Sequence, residues 1–282
     1  MSAFVLAAVL LAALSHATWN AIIKSLPNRS IAAEVVAVLS GFMGIPVAIL
    51  LPPPPPEAWP YLISSSLIHI GYFTLLGYIY RSADLSVAYP LTRGSAPLMT
   101  ALVALILIGE NMPWTGWLAV TLIAVGIGAL SLDALSRGGM NWKTALAVVA
   151  VAGIIVCYTM IDGIGTRKIG NGLVYGAWLM MGNTVTLFSY AMIVHRKAFF
   201  REARQIWPRA SIAASLQLPG YAVVLWAMTL APIGLVAALR EVAVVFAAII
   251  GAYFFGERFG PQRWLAVALI IGGIVLLRLP AN

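Results

Sequence analysis

Two arginines sit where an arginine is costly. Arg93 lies in SVAYPLTRGSAPLMTALVALILIGE, residues 86–110, between Pro90 and Pro97, and Arg240 lies in AALREVAVV; both surroundings are apolar over a length that crosses a bilayer. A charge at the centre of a membrane costs about 2.5–3.5 kcal/mol on insertion scales, so it normally faces a partner or a water-filled cavity and marks a functional site by default. A guanidinium is a planar fork of donors matched to carboxylate, phosphate or phosphonate, and one reading of the pair is recognition of an anionic group. The other is structural, each guanidinium pairing with an acid or carbonyl to lock a helix junction. The candidate acids are few: Glu241, Glu34, Asp162 and Asp84. Glu241 is not an obvious mate for the adjacent Arg240, because consecutive residues on a helix do not face each other.

Other polar side chains recur at helical spacing. His16, Asn20 and Lys24 fall on one face with Trp19 beside them, and Ser65, His69, Tyr72 and Tyr80 form a similar stripe; lipid does not reward such stripes, so they face inward. Tyr89 beside Arg93, Tyr158 with Asp162 one turn later, Asn183, and Gln217 with Tyr221 complete the candidate cavity lining. For each of them interhelical hydrogen bonding is the alternative to substrate contact. An imidazole ordinarily titrates near neutral pH, which admits a role in proton coupling for His16 and His69. Walker loops, HExxH sequences and Cys/His clusters at metal spacing are absent, and the chain carries a single cysteine, Cys157, read as a packing residue. The expectation is a protein that is not an enzyme and needs no cofactor or metal.

The elements that position these residues follow from composition. Of 282 residues, 62% are hydrophobic and 9% charged, against roughly a quarter charged in a soluble domain. Apolar stretches of about 20 residues, the length that spans a hydrocarbon core, fall at about 3–23, 31–51, 59–80, 86–108, 114–132, 143–163, 173–194, 210–230, 233–255 and 263–280. Ten-residue alternating segments of the kind that build an outer-membrane barrel do not appear. The first stretch lacks a basic leader and a small-residue cleavage site, and reads as a retained helix. The run LPPPPPEAWP is a stiff polyproline connector. The net charge of +8 comes from helix ends and loops, a topology signal and not a nucleic-acid surface.

A shift of 147 residues lays GENMPWTGWLAVTLIAVGIGAL (109–130) on GERFGPQRWLAVALIIGGIVLL (256–277) with 11 identities in 22 positions, and it carries Arg93 onto Arg240. The chain is an internal duplication, divided here at 1–135 and 136–282. Each half holds five helices, an odd number, so the halves insert in opposite orientations. Inverted repeats of this type place a substrate site near the midplane where the halves meet. Loops after odd-numbered spans hold 12 Lys and Arg and the opposite side 3, a bias that favours both termini outside under the positive-inside rule, with both termini inside as the rival. Glu110 and Glu257 read as loop and capping residues that fix the connection between the fourth and fifth helix of each half.

The repeated constellation, an apolar fourth helix ending in Gly109-Glu110 or Gly256-Glu257, a short loop and a glycine-bearing fifth helix, resembles the drug/metabolite transporter superfamily and within it the EamA family. The resemblance covers the whole chain. SHATWNAIIK and AYPLTRGSAPL are similar to a subgroup found beside phosphonate-utilisation functions. The resemblance implies an all-α membrane protein of ten transmembrane helices in two inverted five-helix repeats, a multi-pass carrier of the bacterial inner membrane. Relatives move amino acids, sugar phosphates, nucleotide sugars, cationic drugs and other metabolites, but the first helix here lacks the carboxylate of small multidrug relatives. The expected function is secondary transport of a small anionic or zwitterionic metabolite by alternating access. The substrate is read by Arg93 and Arg240 and shaped by His16, Trp19, Asn20, His69, Tyr72, Tyr89, Tyr158, Gln217 and Tyr221. The alternative is export of amino acids or hydrophobic and amphipathic compounds, with structural arginines. The expected partners are a small-molecule substrate and the lipid bilayer, with no nucleic acid, and a monomer suffices because the duplicated chain holds both halves.

Overall fold

A computed structural model describes residues 1–82, 92–93, 96–137, 141–255 and 261–277. The described residues form helices α1 (Ala3–Lys24), α2 (Arg29–Leu50), α3 (Trp59–Ser82), α4 (Ala96–Ile108), α5 (Trp114–Arg137), α6 (Trp142–Ile169), α7 (Gly172–Val194), α8 (Lys197–Leu230), α9 (Ile233–Arg240), α10 (Ala243–Phe255) and α11 (Pro261–Leu276). The helices α1, α2, α6, α7 and α8 and the stretch Ile233–Ile250 are each long and apolar enough to cross a bilayer, while Ala96–Ile108, Trp114–Leu130 and Trp264–Leu276 are shorter apolar helices. The protein is an all-α membrane protein.

Local sequence explains the helix starts. Ser2, Asn28, Asn141 and Asn171 cap α1, α2, α6 and α7, each side-chain oxygen accepting from a backbone N–H of the first turn, which satisfies donors that have no partner within the helix. At the end of α6, Gly170 adopts φ 71°, where a side chain would be strained. Pro55 sits at φ −65° and ψ 156°, so the polyproline connector is extended as its composition requires, and it closes in a single tight turn at Pro56–Ala58.

Three readings of the sequence change. The eighth span does not begin at 210: α8 runs 34 residues from Lys197 and takes Pro208 and Pro219 into its interior. Its first turns stay helical because Phe199 and Ile206 are buried with residues of α2 and α7, an apolar anchor that charge counting overlooks. The ninth span is two helices, interrupted at Glu241-Val242. Cys157 is exposed, on the outer surface of the bundle, where an apolar thiol is compatible with lipid and no protein packing is required.

The packing obeys the exchange of repeats. Numbering spans one to five as α1, α2, α3, α4 and α5, and six to ten as α6, α7, α8, α9 with α10, and α11, each of α2, α4 and α5 packs on its own counterpart, α7, α9 and α11. The contact of α1 with α8 is mirrored by α3 with α6, and that of α1 with α10 by α4 with α6. This is the contact pattern of a pseudo-two-fold axis. It is sharpest at α5 and α11, where a Cβ on Gly126 would lie 2.9 Å from the Ala266 carbonyl oxygen, and a Cβ on Gly273 would lie 2.9 Å from that of Ala119. Both pairs are related by the same 147-residue shift. Membrane helices lack a hydrophobic drive to associate and rely on such close backbone approach.

Gly126→Val and Gly273→Val are expected to destabilise the protein by similar amounts, about 1–3 kcal/mol each from overpacking. Gly128→Val, at a position with open space beside it, should leave stability nearly unchanged. Thermal unfolding in detergent compares the three.

Candidate functional site in the central cavity

The repeats meet around a cavity of about 60 Å³. On the same measure a single water needs about 10–15 Å³, so the space accommodates a few waters or a small polar solute. Its walls come from α1 (Ala12, His16, Trp19), α2 (Ala37), α3 (His69, Tyr72, Phe73), Arg93 before α4, α6 (Tyr158), α7 (Met180, Asn183), α8 (Gln217, Gly220, Tyr221, Val224) and α9 (Arg240). Nine of the eleven candidate residues therefore come together. Asn20 does not line the cavity; its amide donates at 2.8 Å to the His16 carbonyl oxygen of its own helix. Tyr89, like Asp84, Pro90, Gly94 and Glu257, lies outside the described residues.

The helix break at Glu241 organises the charges. After Arg240 the backbone tightens to i→i−3 bonds, Val242 N–H to the Leu239 carbonyl at 3.2 Å and Val244 N–H to that of Glu241 at 3.0 Å. This turn swings the Glu241 carboxylate back onto its neighbour, so Oε1 accepts from Arg240 Nε at 3.2 Å and Nη2 at 3.0 Å. The dismissal of Glu241 as a mate for Arg240 is thereby overturned, because the helical geometry behind it does not hold at a break. The same carboxylate accepts from Arg93 Nη1, at 3.0 Å to Oε1 and 3.2 Å to Oε2. Arg93 Nη2 reaches Tyr72 Oη at 3.3 Å, and Arg240 Nη2 reaches Thr159 Oγ1 at 3.5 Å. Arg240 also lies over the Tyr158 ring, 5.8 Å from its centroid, a cation–π contact. Arg93 and Arg240 are each 3% exposed and Glu241 1%, so two guanidiniums share one carboxylate in a buried setting. Arg240 Nη1 has no protein acceptor among the described residues.

Three other acids among the described residues have partners elsewhere. Asp162 accepts from Tyr175 Oη at 3.0 Å and Tyr221 Oη at 2.5 Å. Glu34 faces His195 Nε2 at 3.2 Å. Glu110 was expected to brace its own loop but acts across the repeats. Its Oε2 accepts from Ile233 N at 2.6 Å, capping α9, and its Oε1 accepts from Arg167 Nη2 at 2.6 Å. Arg167 Nε in turn holds the Met228 carbonyl at 2.7 Å, so this clamp fixes the start of the helix that ends in Arg240.

Within the cavity wall two polar atoms are buried without a partner, His16 Nε2 and Asn183 Oδ1. A buried polar atom without a partner is costly, and a solute group that hydrogen-bonds to both would remove that cost. His16 packs edge-on against Trp19 at 4.9 Å, and His69 lies over Tyr158 at 4.7 Å. Aromatic walls with a few convergent polar groups are the usual form of a small-molecule site. Sequence reasoning left out the apolar lining, Phe73 and Met180 above all. Nothing in their types separates them from ordinary core residues.

The sequence pattern of the EamA-like transporter family matches residues 3–132 and again 142–279. The chain belongs to the EamA-like transporter family. Membership makes it a membrane transporter of small compounds. In fold, 28 solved chains match. One crystal structure superposes with a TM-score of 0.72 over 99% of this chain and 96% of its own length at 17% identity, a likeness of fold alone. No curated protein matches it in sequence. In this EamA-like transporter the two matched segments supply opposite walls of one cavity, the first bringing Arg93 and the second Arg240 and Glu241.

Glu241→Gln removes the shared counter-charge of two buried guanidiniums and is expected to destabilise by roughly 3–5 kcal/mol. Glu110→Gln, at a partly exposed cap and ion pair, should cost only about 1 kcal/mol. Thermal unfolding of the purified variants checks the ordering.

Proposed function

We propose that this chain is a secondary transporter of the bacterial inner membrane that moves a small anionic or zwitterionic metabolite by alternating access, as a monomer built of the halves 1–135 and 136–282. The observation that carries the reading is that guanidiniums from both repeats, Arg93 and Arg240, line one cavity and share the Glu241 carboxylate. Guanidiniums in a cavity wall favour an opposite charge beside them, and a carboxylate, phosphonate or similar anion is the group that matches them. Arg240 Nη1 is the donor left for it, in the planar geometry suited to an oxyanion. His16 Nε2 and Asn183 offer hydrogen bonds to a second polar group of the same solute, such as a hydroxyl or ammonium. Alternating access is favoured by the pseudo-symmetry, since two equivalent arrangements of the repeats around one fixed site open it to opposite sides.

The charge reading is separable from a purely structural role for the arginines. Arg93→Gln leaves Arg240 neutralised by Glu241, and anion affinity should fall at least tenfold. The double variant Arg93→Gln/Glu241→Gln releases Arg240 from its carboxylate partner and should recover much of that affinity. Thermal-shift titrations with carboxylates, phosphonates, amino acids and amphipathic amines read this out. Anion stabilisation unaffected by Arg93→Gln and Arg240→Gln, or stabilisation by the amines alone, would refute the anion reading in favour of an exporter of amino acids or amphipathic compounds with structural arginines.

A further inference from the structure

The helix α8 is longer than a membrane crossing requires. Its 34 residues rise about 51 Å, against a hydrocarbon core of about 30 Å. Two contacts with α2 show where the surplus goes. His195, two residues before α8, meets Glu34 at 3.2 Å, and Gln217 within α8 accepts from Ser40 Oγ at 2.6 Å. Glu34 and Ser40 are 6 residues apart on α2, about 9 Å of rise, whereas 20 residues of α8 separate its start from Gln217, about 30 Å of rise. A helix running along α2 throughout would hold these points about 30 Å apart, so the first turns of α8 cross α2 obliquely and stay against the bundle. Phe199, Ile206 and Ala210, at i, i+7 and i+11, share the face that is buried with residues of α2 and α7. Pro208, inside the helix, removes one backbone bond between this start and the spanning part.

The other face carries a different chemistry. Lys197, Phe200, Arg201, Arg204 and Trp207 fall at i, i+3, i+4, i+7 and i+10, the spacing of a single helical face. All five are exposed, the two rings by 55% and 60%. Among the described residues no acid forms an ion pair with Lys197, Arg201 or Arg204. A surface in water gains nothing from presenting Phe and Trp, and a surface in hydrocarbon does not admit three cations. The boundary between headgroups and acyl chains favours both. Aromatic rings settle at that depth, while the stems of Lys and Arg lie along apolar surface and their charged ends reach the phosphates.

Charge decides which lipid is held. A cation close to an anionic membrane surface strengthens attachment by about fivefold, and three do so by on the order of a hundredfold. A zwitterionic headgroup offers no such gain, because its ammonium cancels the phosphate. The same helix carries Gln217, Tyr221 and Val224 into the cavity wall, so a lipid held at its start anchors one wall of the site. This does not depend on which solute the cavity takes.

We propose that the exposed face of residues 197–207 is a binding site for the headgroups of anionic phospholipids, with Phe200 and Trp207 seated at the headgroup boundary and Lys197, Arg201 and Arg204 on the phosphates. The test is native mass spectrometry of the purified full chain in uncharged detergent, titrated with phosphatidylglycerol and with phosphatidylcholine. The wild type should prefer phosphatidylglycerol by on the order of a hundredfold. Arg201→Gln/Arg204→Gln, at exposed positions, should reduce the preference to about fivefold. Lys143→Gln/Lys168→Gln, which removes the same charge from other exposed positions, should leave it unchanged. Phe200→Ser/Trp207→Ser should weaken both lipids alike. Equal affinity for the two lipids in the wild type, an undiminished preference in Arg201→Gln/Arg204→Gln, an equal loss in Lys143→Gln/Lys168→Gln, or unaltered binding in Phe200→Ser/Trp207→Ser would overturn the site. Displacement of phosphatidylglycerol by inorganic phosphate at constant ionic strength would also overturn it, by assigning the face to a soluble anion.

Discussion

One carboxylate, that of Glu241, holds two guanidiniums that reach it from different halves of the chain. The rest of the architecture can be understood as what makes that contact tolerable. Removing three charged groups from water is costly, and the cost is offset only where geometry is good and the remaining donors are satisfied. Tyr72, Thr159 and the face of Tyr158 supply those further contacts. The helix must also stop being a helix for Glu241 to turn back on Arg240. Irregular backbone at membrane depth is stable only where it is enclosed by protein or lines a cavity, and here Arg240 and Glu241 are both buried.

The clamp at Glu110 extends this dependence outward. By capping α9 at Ile233 and holding Arg167, it ties the loop after the fourth span of the first half to the start of the broken span of the second. The eight-residue helix α9 is thus anchored at one end by a carboxylate from the opposite repeat, and at its other end it presents Arg240 to a guanidinium from that repeat. Such reciprocal anchoring suits a carrier. The charged site lies at the seam, while the close glycine contacts of α5 with α11 and of α2 with α7 give each half a surface to pack against its counterpart.

A cavity walled by aromatic rings, with two guanidiniums that share one carboxylate and two unpartnered polar atoms, offers a polar solute several contacts at once. EamA membership establishes a transporter of small compounds.

Much of this was legible in the residues themselves. Hydropathy fixes the membrane and the helices, because a bilayer admits few ways to satisfy a backbone. The 147-residue shift pairs Arg93 with Arg240 and, through the odd helix count, brings both toward one cavity. Periodicity placed His16, His69, Tyr72, Tyr158, Gln217 and Tyr221 on inward faces, since polar groups at helical spacing avoid lipid. Only the tertiary structure could decide who pairs with whom. Glu241 was set aside because regular helix geometry forbids its contact with Arg240, and a break at that residue removes the prohibition. Glu110 looked like a local cap, yet its partner lies 123 residues away. Asn20 lies on the same stripe as His16 but bonds back to its own helix. Spacing along a chain determines which face a side chain occupies; which group it meets there depends on long-range packing and on where the backbone departs from regularity.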